Sequence, residues 1–292
     1  MLTMTNQVNA GKIPVRDVIK QFLQENNMAR SAKVKLFAAA MCAMFGLASG
    51  GAYAAQCGNN ASGFEQWKAD FAQEARAAGV KSKGLAALAG AKYARATIKA
   101  DRAVHKAFSG SVEAFMQRRG AAAIISKGRS LKKSNAALFN QIESTYGVPP
   151  GVLLAIWGME TGFGSYMGKQ NTVSAIVTLA YDCRRPGFFT PHAVAALQLV
   201  DRGALSAGSV GAMHGEIGHT QFLPGNVIRY GVGNRNLRDK STALMSTANF
   251  LRAHGWQAGA GYAGNMGAIA GWNAASVYQQ AIARIGAEID GL

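Results

Sequence analysis

The stretch "YGVPPGVLLAIWGMETGFG", residues 146–164, decides the fold. Pro149 and Pro150 open an apolar run, and Gly162 and Gly164 close it. Proline in the first turn and glycine just past the last are the two ends of a helix. Glu160 is the only charged residue between Glu143 and Lys169. Leu153, Ile156 and Trp157 precede it by seven, four and three positions, so all four share one helical face. Glu160 therefore extends an apolar stripe and sits in the last turn. Burial disfavours its charged form, and so does the negative end of the helix dipole. A carboxylic acid that keeps its proton near neutral pH is suited to general acid catalysis. A core-edge glutamate bonded to loop backbone fits this stretch equally well, so the neighbouring segments must decide.

Outward from this helix, helical spacing dominates. "FEQWKADFAQEARAAG" places Phe64, Trp67, Phe71, Ala75 and Ala78 on one stripe, with Gly79 as a stop. Further helices are expected over 82–89, 111–117, 192–199, 242–253 and 276–289. Leu138, Ile142 and Tyr146 form another stripe closed by Gly147. Alternating β-branched runs are scarce, and no repeat or long linker follows residue 63. The expected fold class is mainly α: one compact domain with a small irregular subdomain.

The 292 residues carry a formal net charge of +16 with only 16% charged residues. Such a surface suits a polyanionic partner: nucleic acid, anionic lipid or an acidic wall polymer. The N-terminus narrows the choice. "MARSAKVKLFAAAMCAMFGLASGGAYAAQC" begins at Met28 with Arg30, Lys33 and Lys35, continues through an apolar run and ends at an A-x-A site, Ala52 and Ala54. That is the three-part pattern of a secretory signal, and the run is shorter than the ~20 residues of a membrane span. Residues 1–54 are thus expected to be an N-terminal extension and signal peptide, with residues 55–292 the exported domain. The 27 residues before Met28 are a long n-region or an early start codon. Removing 1–54 takes away six Lys/Arg and two Asp/Glu, leaving about +12 from +16. Export follows, with membrane contact only through the signal segment. Lys and Arg are scattered rather than interleaved with aromatics, so nucleic acid is not the expected partner.

Cleavage leaves Cys57 and Cys183, which in an exported protein suggest one disulfide. The competing idea is a lipid anchor on Cys57. Gln56 stands before it, where lipid attachment wants Gly, Ala or Ser, and this disfavours the anchor.

Two later segments have cleft chemistry. "HGEIGHTQFLPGN", residues 214–226, is glycine-punctuated and polar, a loop leading to a turn at Pro224-Gly225. Its Gln221 and Phe222 offer an amide and an aromatic face. "AGWNAASVYQQAI", residues 270–282, brings Trp272, Asn273 and Tyr278. Tyr278 also reads as ordinary helix packing, and Trp272 as a hydrophobic staple before a helix. His214, Glu216 and His219 raise a zinc reading, but the histidines are five apart and separated by Gly215 and Gly218. The zinc helix needs them four apart, so no metal is expected.

"YGVPPGVLLAIWGMETGFG", "LAYDCRRPGFF", "GEIGHTQFLP", "STANFLRAHGW" and "WNAASVYQQAIARIGAEIDG" occur in the order of the lytic murein transglycosylase B family, glycoside hydrolase family 103, which this chain resembles from Phe64 to Leu292. The resemblance implies that residues 55–292 are a lysozyme-like catalytic α domain in the periplasm, acting on peptidoglycan glycan strands. No cofactor is expected, and the protein is expected to be a monomer. It implies that Glu160 is the single acid and base. By matching position it implies that Gln221, Phe222 and Asn273 line the cleft, with Trp272 where a tyrosine is commoner. Tyr181, Arg184 and Arg185 match the family's aromatic-plus-arginine stretch near substrate; a solvated basic loop is the plainer reading of the arginines. "YDCRRP" belongs to a subset of the family and supports the Cys57–Cys183 pair. Where many relatives carry a calcium loop, this chain has "GVGNRNLRDK" with one acid, Asp239, so no calcium is expected. A serine of some relatives is Ala212 here, and Glu216 adds a carboxylate that positions a sugar, tunes the acid or is a structural acceptor. A muramidase that uses water, and a non-catalytic wall-binding protein, are the alternatives.

Overall fold

The computed structural model describes residues 55–292; the extension, the signal and Cys42 lie outside the described residues. In chain order the helices are α1 Phe64–Ala77, α2 Ser82–Gly90, α3 Arg95–Ala107, α4 Val112–Arg118, α5 Ala121–Ser134, α6 Ala136–Tyr146, α7 Pro150–Thr161, α8 Thr172–Tyr181, α9 Pro186–Asp201, α10 Pro224–Tyr230, α11 Lys240–Ala253, α12 Gly261–Gly264, α13 Met266–Trp272 and α14 Ser276–Asp290. Two short strands, β1 Gln170–Asn171 and β2 Val210–Gly211, pair antiparallel. The expected mainly α fold is the one observed. Among the described residues no helix is long and apolar enough to cross a membrane.

Helix α7 is the centre of the main core. Every residue from Pro150 to Met159 is buried, as is Thr161; Glu160 alone keeps partial exposure. The expected one-sided stripe is therefore a helix buried on all sides, as an apolar circumference requires. It is wrapped by α14, α5 and α11. Close approach to α14 depends on Gly151, where a Cβ would collide with the Gly286 carbonyl. Asp290 fastens the same crossing. Its Oδ1 accepts the Gly151 N–H at 3.0 Å and Lys132 Nζ at 2.8 Å, and its Oδ2 accepts the Tyr262 hydroxyl at 2.8 Å.

A second core joins α1 and α2 to α8 and α9, with Phe64, Trp67, Phe71, Leu88, Ile176 and Leu197 inside. Cys57 and Cys183 form the expected disulfide, with a Cα–Cα separation of 5.0 Å. It straps the N-terminal segment to the end of α8, where Gly58 N–H also donates to the Tyr181 carbonyl at 3.0 Å.

The stretch between α9 and α11 holds only β2 and α10. It is the irregular part, yet Ile217, Phe222, Val227 and Leu237 pack with Leu199, Ala243 and Phe250 into a third core. Pro224 is the first residue of α10, so the turn expected at Pro224-Gly225 is instead a helix start. The local reason is the fixed φ of proline, which suits the first helical position.

Candidate active site

The last turn of α7 is pinned to the loop before α10. Thr161 Oγ1 donates to the His219 carbonyl at 2.7 Å and accepts the Gly164 N–H at 2.9 Å. Trp157 Nε1–H donates to His219 Nδ1 at 3.1 Å. Burial lowers the proton affinity of His219, which suits a neutral ring with Nδ1 free to accept. Gly162 ends the helix at φ +56. Gly164, at φ +81, runs so close to the His219 ring that a Cβ would clash with it. The glycines after Glu160 therefore both stop the helix and admit this loop.

Glu160 points at α13 and α14. Tyr278 Oη–H donates to Glu160 Oε1 at 2.6 Å, and Trp272 Nε1–H donates to the same oxygen at 3.3 Å. Among the described residues nothing hydrogen-bonds Oε2, so a proton there is available to a ligand. Burial is the main force on this carboxyl and raises its pKa to about 7; the Tyr278 and Trp272 bonds oppose it, Glu216 adds to it and Arg119 opposes it. Burial and the neighbouring Glu160 push Tyr278 well above its ordinary value, so it stays a donor. Tyr278 is 3% exposed and packs edge-on against Phe108 and Phe115. It is thus both ordinary packing and a direct partner of the acid.

Trp272 ends α13 and leans edge-on against Phe222 and Phe250, with ring centroids 5.1 Å away in each case. It is held by core aromatics rather than stapling a helix. Phe222 itself is 2% exposed. This corrects its expected place in the cleft: its ring supports Trp272 and has no face left for a sugar. Gln221 keeps partial exposure in a left-handed conformation, φ +55, and its Nε2 donates to the Gly218 carbonyl at 2.7 Å. Asn273 is half-buried; its Oδ1 accepts the Ala275 N–H at 2.9 Å, shaping the link from α13 to α14.

Tyr181 needs a second correction. At 3% exposed it lies among Phe64, Trp67 and Tyr93, where it packs the strapped N-terminus. Arg184 and Arg185 are neither a solvated loop nor uncommitted cations. Both ion-pair with Asp101 of α3, which is 1% exposed. Arg102 bridges Asp101 at 3.0 Å and Asp182 at 2.8 Å. Burial opposes the Asp101 charge, but Arg184 and Arg185 hold its pKa below the usual carboxylate range. A buried charge survives only when paired in this way. Asp101 was not anticipated. The available signal was its isolation: no other acid lies between Glu74 and Glu113.

Glu216 lies on the pinned loop. Its Oε2 accepts the His214 backbone N–H at 3.0 Å, and its Oε1 is 3.4 Å from His214 Nδ1. His214 and His219 thus face different partners. Asp239 caps α11, its Oδ1 accepting the Thr242 N–H at 2.8 Å.

Glu160, an acid with a raised pKa at the end of a central helix, is thus clasped by an aromatic pair from α13 and α14. Residues 63–265 match the family model for the Transglycosylase SLT domain, and the chain belongs to that family. Over 127 residues it is 34% identical to the Membrane-bound lytic murein transglycosylase B of Escherichia coli strain K12, a match covering 41% of this chain and 35% of that protein. The chain thus spans about a third of the length of that curated relative. Its structure resembles SltB3 of Pseudomonas aeruginosa, solved in complex with NAG-anhNAM-pentapeptide. The TM-score is 0.71 at 25% identity, over 78% of this chain and 80% of that one. The Escherichia coli lytic transglycosylase Slt35, solved in complex with calcium, matches in fold with a TM-score of 0.67 at 20% identity, over 81% and 96%. The lysozyme-like fold is therefore the one this chain adopts.

Proposed function

We propose that residues 55–292 are a peptidoglycan lytic transglycosylase and that residues 1–54 export it to the periplasm, where it acts as a monomer without a cofactor. The observation that carries this reading is the Glu160 carboxyl. It has two donors on Oε1, none on Oε2, and a pKa raised to about 7. Tyr278 and Trp272 fix one oxygen, so the proton is delivered from the other. In the proposed reaction Oε2–H protonates the glycosidic oxygen between N-acetylmuramic acid and N-acetylglucosamine. The bond from C1 to that oxygen breaks as the substrate's own N-acetyl oxygen bonds to C1. Glu160, now a carboxylate, takes the proton of the muramoyl 6-hydroxyl. The 6-oxygen then displaces the acetamido oxygen from C1, closing a 1,6-anhydro ring and restoring the acid. No water is consumed, and a single carboxyl does both proton transfers, unlike the usual two-carboxylate scheme.

Two structures of the similar SltB3 support the substrate class, since that protein was solved in complex with NAG-NAM-pentapeptide and with NAG-anhNAM-pentapeptide. Gln221, Asn273, Trp272 and Glu216 are proposed to face the glycan. Arg184 and Arg185 reach a stem carboxylate only in competition with Asp101, and Arg185, the more exposed of the two, is the better placed. Cys57 is held in its disulfide rather than lipidated. The test is mass spectrometry of sacculi digested with wild type and Glu160→Gln. Anhydromuramoyl products from wild type and none from the variant are expected. Reducing muramic ends would assign a hydrolase instead, and undiminished lysis by the variant would remove Glu160 from catalysis.

A further inference from the structure

The stem peptides of the proposed substrate carry carboxylates, yet Arg184 and Arg185 are both paired with Asp101. Cations open to an anion lie elsewhere, on the corner between α4 and α5. Three cations of these helices are committed: Arg118 donates to the Ser109 carbonyl, Arg129 pairs with Glu288 at 2.8 Å and Lys132 with Asp290 at 2.8 Å. Arg119 and Lys127 are exposed and have no carboxylate partner among the described residues. Each lies over an aromatic ring instead. Arg119 Cζ is 5.3 Å from the Phe115 centroid, and Lys127 Nζ is 5.3 Å from the Phe163 centroid. A ring attracts a cation through its quadrupole without neutralising it. The long side chain is then partly ordered in advance, and its charge stays open to an anion on the outer side.

Both rings belong to the surroundings of Glu160. Phe115 meets Tyr278 edge-on with centroids 6.4 Å apart, and Tyr278 donates to Glu160 at 2.6 Å. Phe163 follows Glu160 by three residues. Its N–H donates to the Trp157 carbonyl at 3.2 Å, and its ring meets the Trp157 ring edge-on at 5.4 Å. Gly158, two residues before Glu160, makes room for Phe163 and for Ile124 of α5; a Cβ there would collide with Ile124. The α4–α5 corner is thus fastened beside the end of α7. Its two open cations each stand one ring removed, Arg119 from the tyrosine that holds the acid and Lys127 from the helix that carries it. We propose that Arg119 and Lys127 bind carboxylates of a stem peptide and so make the enzyme select peptide-bearing strands. The stem hangs from the muramoyl sugar whose C1 reacts, so its carboxylates emerge near the acid. The Arg119 guanidinium can take a carboxylate with two N–H donors, and Lys127 supplies a point charge. This rests on the reading of residues 55–292 as an enzyme of peptidoglycan strands.

The experiment compares kcat/KM on three soluble glycan strands: with stems intact, with stem carboxylates capped as amides, and with stems removed by an amidase. Anhydromuramoyl and reducing ends are both counted. Wild type should favour intact strands over the other two by roughly tenfold or more, as two charge-assisted contacts at an exposed site would. Arg119→Gln and Lys127→Gln should each lower that preference by roughly threefold to tenfold, chiefly through KM, and the double variant should lose most of it. Arg119→Lys and Lys127→Arg should keep most of it. Arg119 also favours the Glu160 carboxylate, so its loss alters the acid as well; the ratio between two strands on one enzyme cancels that effect. A wild-type preference that is absent, that survives capping or that survives the double variant overturns the proposal. Should a variant fail to fold, the capped strand on wild type decides, and equal turnover of capped and intact strands overturns it. Binding to phosphatidylglycerol vesicles that the double variant loses, with strand preference unchanged, would assign the cations to a membrane surface and also overturns it. Reducing ends made with the same carboxylate-dependent preference would support the cation pair and strike the transglycosylase reading alone, so the two failures are distinct.

Discussion

Glu160→Gln should do more than abolish activity: it should stabilise the fold, and increasingly so as pH rises. Burial raises the Glu160 pKa from 4.5 to about 7. Between those values the native state holds a proton that the unfolded chain has released, so the native state binds more protons. The slope of unfolding free energy with pH is then negative. The wild-type contribution is fully present below about pH 4.5 and is lost as pH rises through about 7. Two and a half units at about 1.4 kcal/mol each set a ceiling of about 3 to 4 kcal/mol. Glu160 keeps some exposure, and water reaching the carboxylate reduces the figure to about 2 kcal/mol. Glutamine retains an acceptor for Tyr278 and Trp272 and has no charge to desolvate. Urea unfolding of both proteins at pH 5 and pH 8 measures the effect, and other titrating groups cancel in the difference. The variant should gain about 2 kcal/mol relative to wild type between the two pH values. A gain below about 0.5 kcal/mol, or a loss, would mean that Glu160 titrates like a solvent carboxylate and that the acid argument from burial is wrong.

Two further outcomes are expected. Tyr278→Phe removes the 2.6 Å donor to Glu160 Oε1; this donor favours the carboxylate, so the alkaline limb of kcat/KM should rise by about one unit while kcat falls. An unmoved limb would make Tyr278 a packing residue only. Cys57→Ser removes a bridge between residues 126 apart and should cost about 2–4 kcal/mol in a urea or thermal melt. Reducing agent should lower the wild-type transition similarly and leave that of the variant in place.

Some of this was legible without coordinates. The α7 boundaries, α1, α2, α6 and α14 follow from apolar spacing, prolines and glycine stops. Other helices were silent for identifiable reasons. α8, "TVSAIVTLAY", is buried at all ten positions and rich in β-branched residues, so it has neither a polar face nor a helical composition. α5, "AAAIISKGRSLKKS", has a short apolar stripe interrupted by Gly128, which is needed where Ile289 packs against it. α3 carries Asp101, whose partners Arg184 and Arg185 lie more than 80 residues away.

Sequence by itself determined that a carboxyl would stand at the end of an apolar helix, because helix start, face and stop are set by residues within one or two turns of each other. It also put the right residue types near that carboxyl by family resemblance. Only the tertiary structure decided their roles. Tyr278 and Trp272 meet Glu160 across more than 110 residues of chain. Phe222 and Tyr181 face inward, and Arg184 and Arg185 turn to Asp101. Such pairings depend on how whole helices pack, and on the cost of leaving a buried charge alone. That cost acts between residues distant in sequence, so no local pattern records it.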